Sequence, residues 1–132
     1  GVPAHLPPLV KAYRMQDKAR AVGFDWDKKE DVWDKVKEEI GEFQSELQHL
    51  DTNNPDSVNK AQGELGDLLF SLVNASRLYN LNPDTALETT CLKFKNRFTY
   101  LELAARKDGL TFADMSLEQM DKYWDEAKEK GL

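Results

Sequence analysis

The stretch GELGDLLFSLVNASRLY, residues 63–79, limits the possible folds more than any other part of the chain. Leu65, Leu68, Leu69, Leu72 and Val73 make a broad apolar face on a helical wheel, and Phe70 and Leu78 lie elsewhere on the circumference. A helix apolar on most sides expects burial on most sides, and a partner subunit could supply the second surface. Yet Lys60, Glu64, Asp67, Ser71 and Asn74 follow one another at steps of three and four, as one narrow polar seam. Charged groups are expensive to bury unless something pairs with them. The seam therefore asks for a partner.

The rest of the chain reads as helix, with no strand-like alternation of useful length. A first helix is expected over about 8–22, stopped by Gly23, and a second over about 29–50 after the loop FDWDKKED. Asn54–Pro55 reads as a cap followed by proline in the first helical position, opening a third helix over about 55–79. Asn82–Pro83 repeats the device for a fourth helix, to about 107 before Gly109. Ser116 and Gln119 form a capping box for a fifth, ending near Gly131. The expected fold class is all-α with about five helices in one domain, 1–132, without a dividing linker or an internal repeat.

On the second helix, Val32, Val36, Phe43, Leu47 and Leu50 share one face, with Trp33 and Ile40 at its margin. The stretch EEIGE sets Glu39 and Glu42 at adjacent turns along the edge of that stripe, and Glu38 further round. Two antiparallel helices joined by a short turn would bring this acidic patch against Glu64 and Asp67. Bare, the four carboxylates would repel. A divalent cation relieves the repulsion, and all-oxygen ligands favour hard ions such as Mg²⁺ or Mn²⁺. The Glu-x-x-His pattern of di-iron bundles is absent. A carboxylate-held Mg²⁺ that keeps several waters commonly takes phosphate as its other ligand. The competing reading is a solvated charged face. It suits KVKEEIGEFQSE well and ELGD poorly, because ELGD sits in an apolar segment.

Composition narrows the remaining choices. A net charge of −6 argues against a general nucleic-acid binder, which shows a basic face. No apolar run is long enough to span a bilayer, so no membrane role is expected. Cys91 is the only cysteine, which excludes an internal disulfide and fits a reducing, cytoplasmic setting. His49 is given no role.

These residues resemble the MazG family of all-α nucleoside triphosphate pyrophosphohydrolases, whose pattern is Glu-Glu-x-x-Glu, a spacer, then Glu-x-x-Asp. Here it stands as EEIGE (38–42) and ELGD (64–67). The segments GVPAHLPPL, KARAVGFDW, GDLLFSLVNASR, KFKNRF and SLEQMDKYWDEAK are similar too, so the likeness covers nearly the whole chain. Its start most resembles the C-terminal domain of two-domain members, so the resemblance leaves open whether an N-terminal domain is missing. One departure stands out: Gly63 occupies the place where many relatives carry the first Glu of a Glu-Glu-x-x-Asp motif.

The resemblance implies a helical homodimer with a shared four-helix bundle, and Mg²⁺-dependent cleavage of nucleoside triphosphates between the α and β phosphates. By position it implies Glu39, Glu42, Glu64 and Asp67 as metal ligands. Glu38 and Glu39 carry the catalytic assignment, Glu38 as the group that orients a water or takes its proton. Lys35 and Lys60, one turn before Glu39 and Glu64, are expected towards the phosphates. So are Lys93 and Arg97, which share one face of the fourth helix. Trp124 and Lys128, also four apart, are expected near the nucleotide. Two other readings stay open: a narrow house-cleaning pyrophosphatase for one deoxynucleotide, and a non-catalytic helical interaction module whose acidic seam docks a basic partner.

Overall fold

The computed structural model describes all residues, 1–132, and every regular element is helical. The elements are α1 (Pro8–Ala21), α2 (Val32–Leu47), α3 (Pro55–Leu78), α4 (Pro83–Lys107) and α5 (Leu117–Glu129), with short 3₁₀ turns at Lys29–Asp31 and Phe112–Asp114. The chain divides into two compact units, Gly1–Asp84 and Thr85–Leu132. No helix is long and apolar enough to cross a membrane.

Local chemistry sets the helix ends. The Asn54 side chain accepts a hydrogen bond from the Asp56 N–H at 3.0 Å, and Pro55, which has no N–H to satisfy, follows the cap. Asn82 does the same for Asp84 at 3.0 Å. Ser116 and Gln119 form the reciprocal box: the Ser116 hydroxyl accepts from the Gln119 N–H at 3.1 Å, and the Gln119 side chain accepts from the Ser116 N–H at 2.9 Å. After α1 the chain turns through Gly23 at φ +94°, a left-handed conformation that a side chain would strain.

The second helix is shorter than its apolar periodicity predicts. Its first turn is the 3₁₀ segment Lys29–Asp31, and α-geometry starts at Val32. At the other end Gln48, His49 and Leu50 donate to the carbonyls three residues back, so the helix tightens instead of continuing. The Asp51 N–H then bonds the Ser57 hydroxyl at 2.9 Å, which fixes the turn into α3.

Within the first unit α2 and α3 pack as an antiparallel pair, and α1 also lies against α3. The register shows at both ends. Ser57 donates to the His49 carbonyl near the turn, while the Trp33 indole donates to the Tyr79 hydroxyl at 3.1 Å at the far end. Between them Val32, Val36 and Ala75 form a closed core, with Leu68 and Leu78 packed on it. Part of the apolar face of α3 stays exposed, although Val73 is buried and Leu68 packs on the core. Leu65, Leu69 and Leu72 are each about 40 % exposed, as are Leu47 and Leu50 beyond the buried half of α2. In the second unit Leu101, Ala105, Met115 and Ala127 are buried, and Phe94 stacks on Phe98 and tilts against Trp124. Cys91 is exposed on α4.

An acidic cavity between the first three helices

The α2–α3 hairpin brings the two acidic motifs together. Glu39, Glu64 and Asp67 each offer a carboxylate oxygen, and the three oxygens lie within 4.8 Å of one another. Glu39 is buried, Glu64 half-buried and Asp67 exposed. The Lys35 ammonium meets the Glu39 Oε1 at 2.8 Å and Glu38 at 3.6 Å. Lys35 is held protonated more firmly than usual, chiefly by its hydrogen bond to Glu39. The other Glu39 oxygen, Oε2, and the Glu64 Oε2 are buried with no partner at all. A buried acceptor left unpaired is costly, so these two oxygens suit contact with a positive group.

Glu42 sits outside the trio but feels it. Its carboxyl is pushed above the ordinary value, first by the charge of Glu39, then by burial, then by Glu64 and Glu38. The repulsion expected from the sequence is thus present, and a single lysine answers it. The donors are all oxygen, which suits a hard divalent cation and not a thiolate- or imidazole-seeking one. The residues present therefore fit Mg²⁺ or Mn²⁺.

Glu39 and Asp67 line a cavity of about 700 Å³, within the usual range for a small-molecule site. Gln16 on α1, Phe24, Asp25 and Trp26 on the following loop, and Phe70, Asn74 and Arg77 on α3 also line it. Arg77 is buried at 6 % exposure and donates to both Asp25 oxygens, at 2.6 and 3.2 Å. It holds the Asp25 carboxyl below the usual range by those hydrogen bonds. Ser71 also lines the cavity but spends its hydroxyl on the Leu68 carbonyl of its own helix, at 2.7 Å.

The expected site residues divide accordingly. Lys35, Glu39, Glu64 and Asp67 come together, with Glu38 and Glu42 at the rim. Lys60 is exposed on α3 and is not part of the cavity wall. Lys93, Arg97, Trp124 and Lys128 belong to the second unit, where Arg97 donates to the Leu132 carbonyl at 2.8 Å and lies over the Trp124 ring at 5.8 Å. Sequence reasoning missed Gln16, Asp25 and Arg77. Arg77 carried a usable signal, since a cation inside an apolar helix needs an acid as much as Glu64 needs a cation.

Comparison with known proteins places this geometry in context. The model of the MazG nucleotide pyrophosphohydrolase domain matches residues 28–101, more than half of the chain. A nucleoside triphosphate pyrophosphohydrolase/pyrophosphatase MazG of Thermotoga maritima is 39 % identical over 93 % of this chain and 45 % of its own length. A nucleoside triphosphate pyrophosphohydrolase of Escherichia coli K12 is 34 % identical over 99 % of this chain and 48 % of its own. An uncharacterized Bacillus subtilis protein, YabN, is 53 % identical over 52 % of this chain but 14 % of its own length. The chain thus spans about half the length of the two pyrophosphohydrolases it resembles throughout.

Proposed function

The chain belongs to the MazG family of nucleotide pyrophosphohydrolase domains, and on that premise we propose that it hydrolyses nucleoside triphosphates to a monophosphate and pyrophosphate. The observation that carries the reading is the carboxylate trio, two of whose members, Glu39 and Asp67, line a ligand-sized cavity, with two buried oxygens left unpaired. Glu39, Glu64 and Asp67, with Glu42 beside them, would hold Mg²⁺ or Mn²⁺. When bound, such an ion neutralises phosphate charge and makes a nearby water more acidic.

The remaining roles fall to the chain's own side chains. Glu38, exposed beside Lys35, orients the attacking water and takes its proton. Lys35 shares its charge between Glu39 and the phosphates. Lys60, Lys93 and Arg97 bind phosphate, and Trp124 and Lys128 lie near the nucleotide; these assignments rest on the family pattern. Phosphoryl chemistry asks mainly for charge neutralisation and alignment, which such a set supplies. The exposed ridge of Leu65, Leu69 and Leu72 supports a homodimer as the working form.

A pyrophosphate-release panel over the common ribo- and deoxynucleoside triphosphates, with and without Mg²⁺, tests the reading. Pyrophosphate and monophosphate in equal amounts, only with the metal, are expected. Orthophosphate without pyrophosphate would overturn the reaction. A protein inert to every nucleotide, with no thermal response to Mg²⁺, would point to an interaction module instead.

A further inference from the structure

Two cations line the cavity, Lys35 and Arg77. Arg77 is occupied by Asp25 and Asn74. Lys35 is therefore the one that answers the acidic cluster, with its ammonium 2.8 Å from Glu39 Oε1. The two members of this pair are unlike. The Glu39 side chain is 7 % exposed and the Lys35 side chain 44 %. Buried, Glu39 has no access to water as a substitute partner; Lys35 has. Lys35 also has a second acid close by, the exposed Glu38, at 3.6 Å. Its flexible four-carbon stem lets the ammonium move from one acid to the other while the helix stays still.

Glu39 needs a positive charge beside it, because a buried carboxylate without one is costly. The trio's fit to a divalent cation gives it a second candidate. Glu39 Oε2 is buried and unpaired, and so is Glu64 Oε2. The two oxygens of one carboxylate are too close together for an ammonium and a dication to hold both without strong repulsion. We propose that Lys35 is the resident counter-ion of the metal-free protein and gives up Glu39 when a divalent cation binds. Lysine and metal exchange at Glu39, and the released ammonium turns to Glu38 and the open cavity. Lys35 is here a positioning residue. It keeps Glu39 paired while the site is unloaded, and it tempers metal affinity because binding includes its release. The exchange rests on the metal reading above and not on which ligand follows the metal.

The test is calorimetry with Mn²⁺ alone, at one pH and ionic strength, beside thermal unfolding with and without the metal. Lys35→Met removes the competing charge and keeps an apolar stem. It should bind Mn²⁺ at least about threefold more tightly than wild type. Without metal it should melt below wild type, because Glu39 is left buried and alone, and saturating Mn²⁺ should narrow that gap. Lys35→Arg keeps the charge and should not tighten Mn²⁺ binding. Lys37→Met removes an exposed charge of the same helix that is not on the cavity wall, and should stay within about twofold of wild type. Lys35→Gln, neutral but able to donate to Glu39, takes the place of Lys35→Met should that variant not fold, and the same gain in affinity is expected. Equal or weaker Mn²⁺ binding by the neutral Lys35 variants would overturn the exchange and make Lys35 a support of the site. Equal tightening in Lys37→Met would overturn it too, as an effect of overall charge. Tightened Mn²⁺ binding in a protein that releases no pyrophosphate would sink the enzyme reading and leave the exchange standing. No Mn²⁺ binding by any of these proteins would remove the metal site and the exchange together.

Discussion

The two units treat their polar groups in opposite ways. In Thr85–Leu132 they are paired off. Tyr100 donates to Glu126 at 3.1 Å, Tyr123 donates to Asp108 and is pushed up to about 12 by that bond, and Lys130 sits over the Tyr100 ring. In Gly1–Asp84 three buried oxygens, of Gln16, Glu39 and Glu64, stay unpaired. Folding alone favours the first arrangement, because an unsatisfied buried acceptor costs about 1–3 kcal/mol. The second arrangement makes sense where a ligand completes the set. The contrast locates the chemistry more sharply than the count of charges does, since acidic and basic side chains occur in both units.

The strongest way to break this contrast is to remove a carboxylate from the trio. Asp67→Asn should lower pyrophosphate release on the order of 10²–10³-fold, the loss typical when one element of a preorganised electrostatic site is deleted. The same change relieves like-charge repulsion, so without metal its melting temperature should rise. A variant that is less active and also less stable would mean that Asp67 supports the fold.

Next in size is the buried ion pair. Asp25→Ala leaves Arg77 buried without its acid and should cost about 3 kcal/mol in urea unfolding. The pH dependence follows from the sign. Arg77 lowers the Asp25 pKa in the folded state, so the pair's contribution is present above the unfolded value, about 3.9, and is lost as pH falls through the lower folded value. The stability gap between wild type and Asp25→Asn should therefore be constant near neutrality and shrink below about pH 4.

Metal linkage comes next. Raising Mg²⁺ to a hundredfold over its dissociation constant should stabilise the wild type by about 2.7 kcal/mol, reversibly with chelator. Asp67→Asn should show little of this in the same thermal scan.

The smallest effect probes the second unit. Arg97→Ala removes a carbonyl contact and a ring contact, together worth about 1–2 kcal/mol of stability. If Arg97 also binds phosphate, KM for the nucleotide should rise about tenfold, equal to about 1.4 kcal/mol. Lost stability with unchanged KM would make the second unit's cation structural.

Much of this was legible where the physics is local. Asn54–Pro55 and Ser116–Gln119 announce their helix starts because a cap is satisfied within three residues. Glu39, Glu64 and Asp67 were brought together by helical spacing and one short turn, both readable from the chain. The Asp25–Arg77 bond spans 52 positions, and nothing local chooses Asp25 among the acids of its loop. Gln16 was harder still, because its bond to the Phe70 carbonyl spans 54 positions and its residue type says nothing of burial. The exposure of Leu65, Leu69 and Leu72 was legible only in part: the sequence showed more apolar surface than one side of the helix needs, but not which leucines stay uncovered. Periodicity shows that a face is apolar, not which body covers it.

The lone thiol of Cys91, exposed on α4, has a practical consequence. With no second cysteine in this sequence, a protein disulfide formed between two of these chains must join Cys91 of one copy to Cys91 of another. A disulfide requires Cα atoms within roughly 7 Å, so a doubled band on a non-reducing gel would act as a molecular ruler between two α4 helices. One maleimide dye per molecule, at a known address, comes with the same feature.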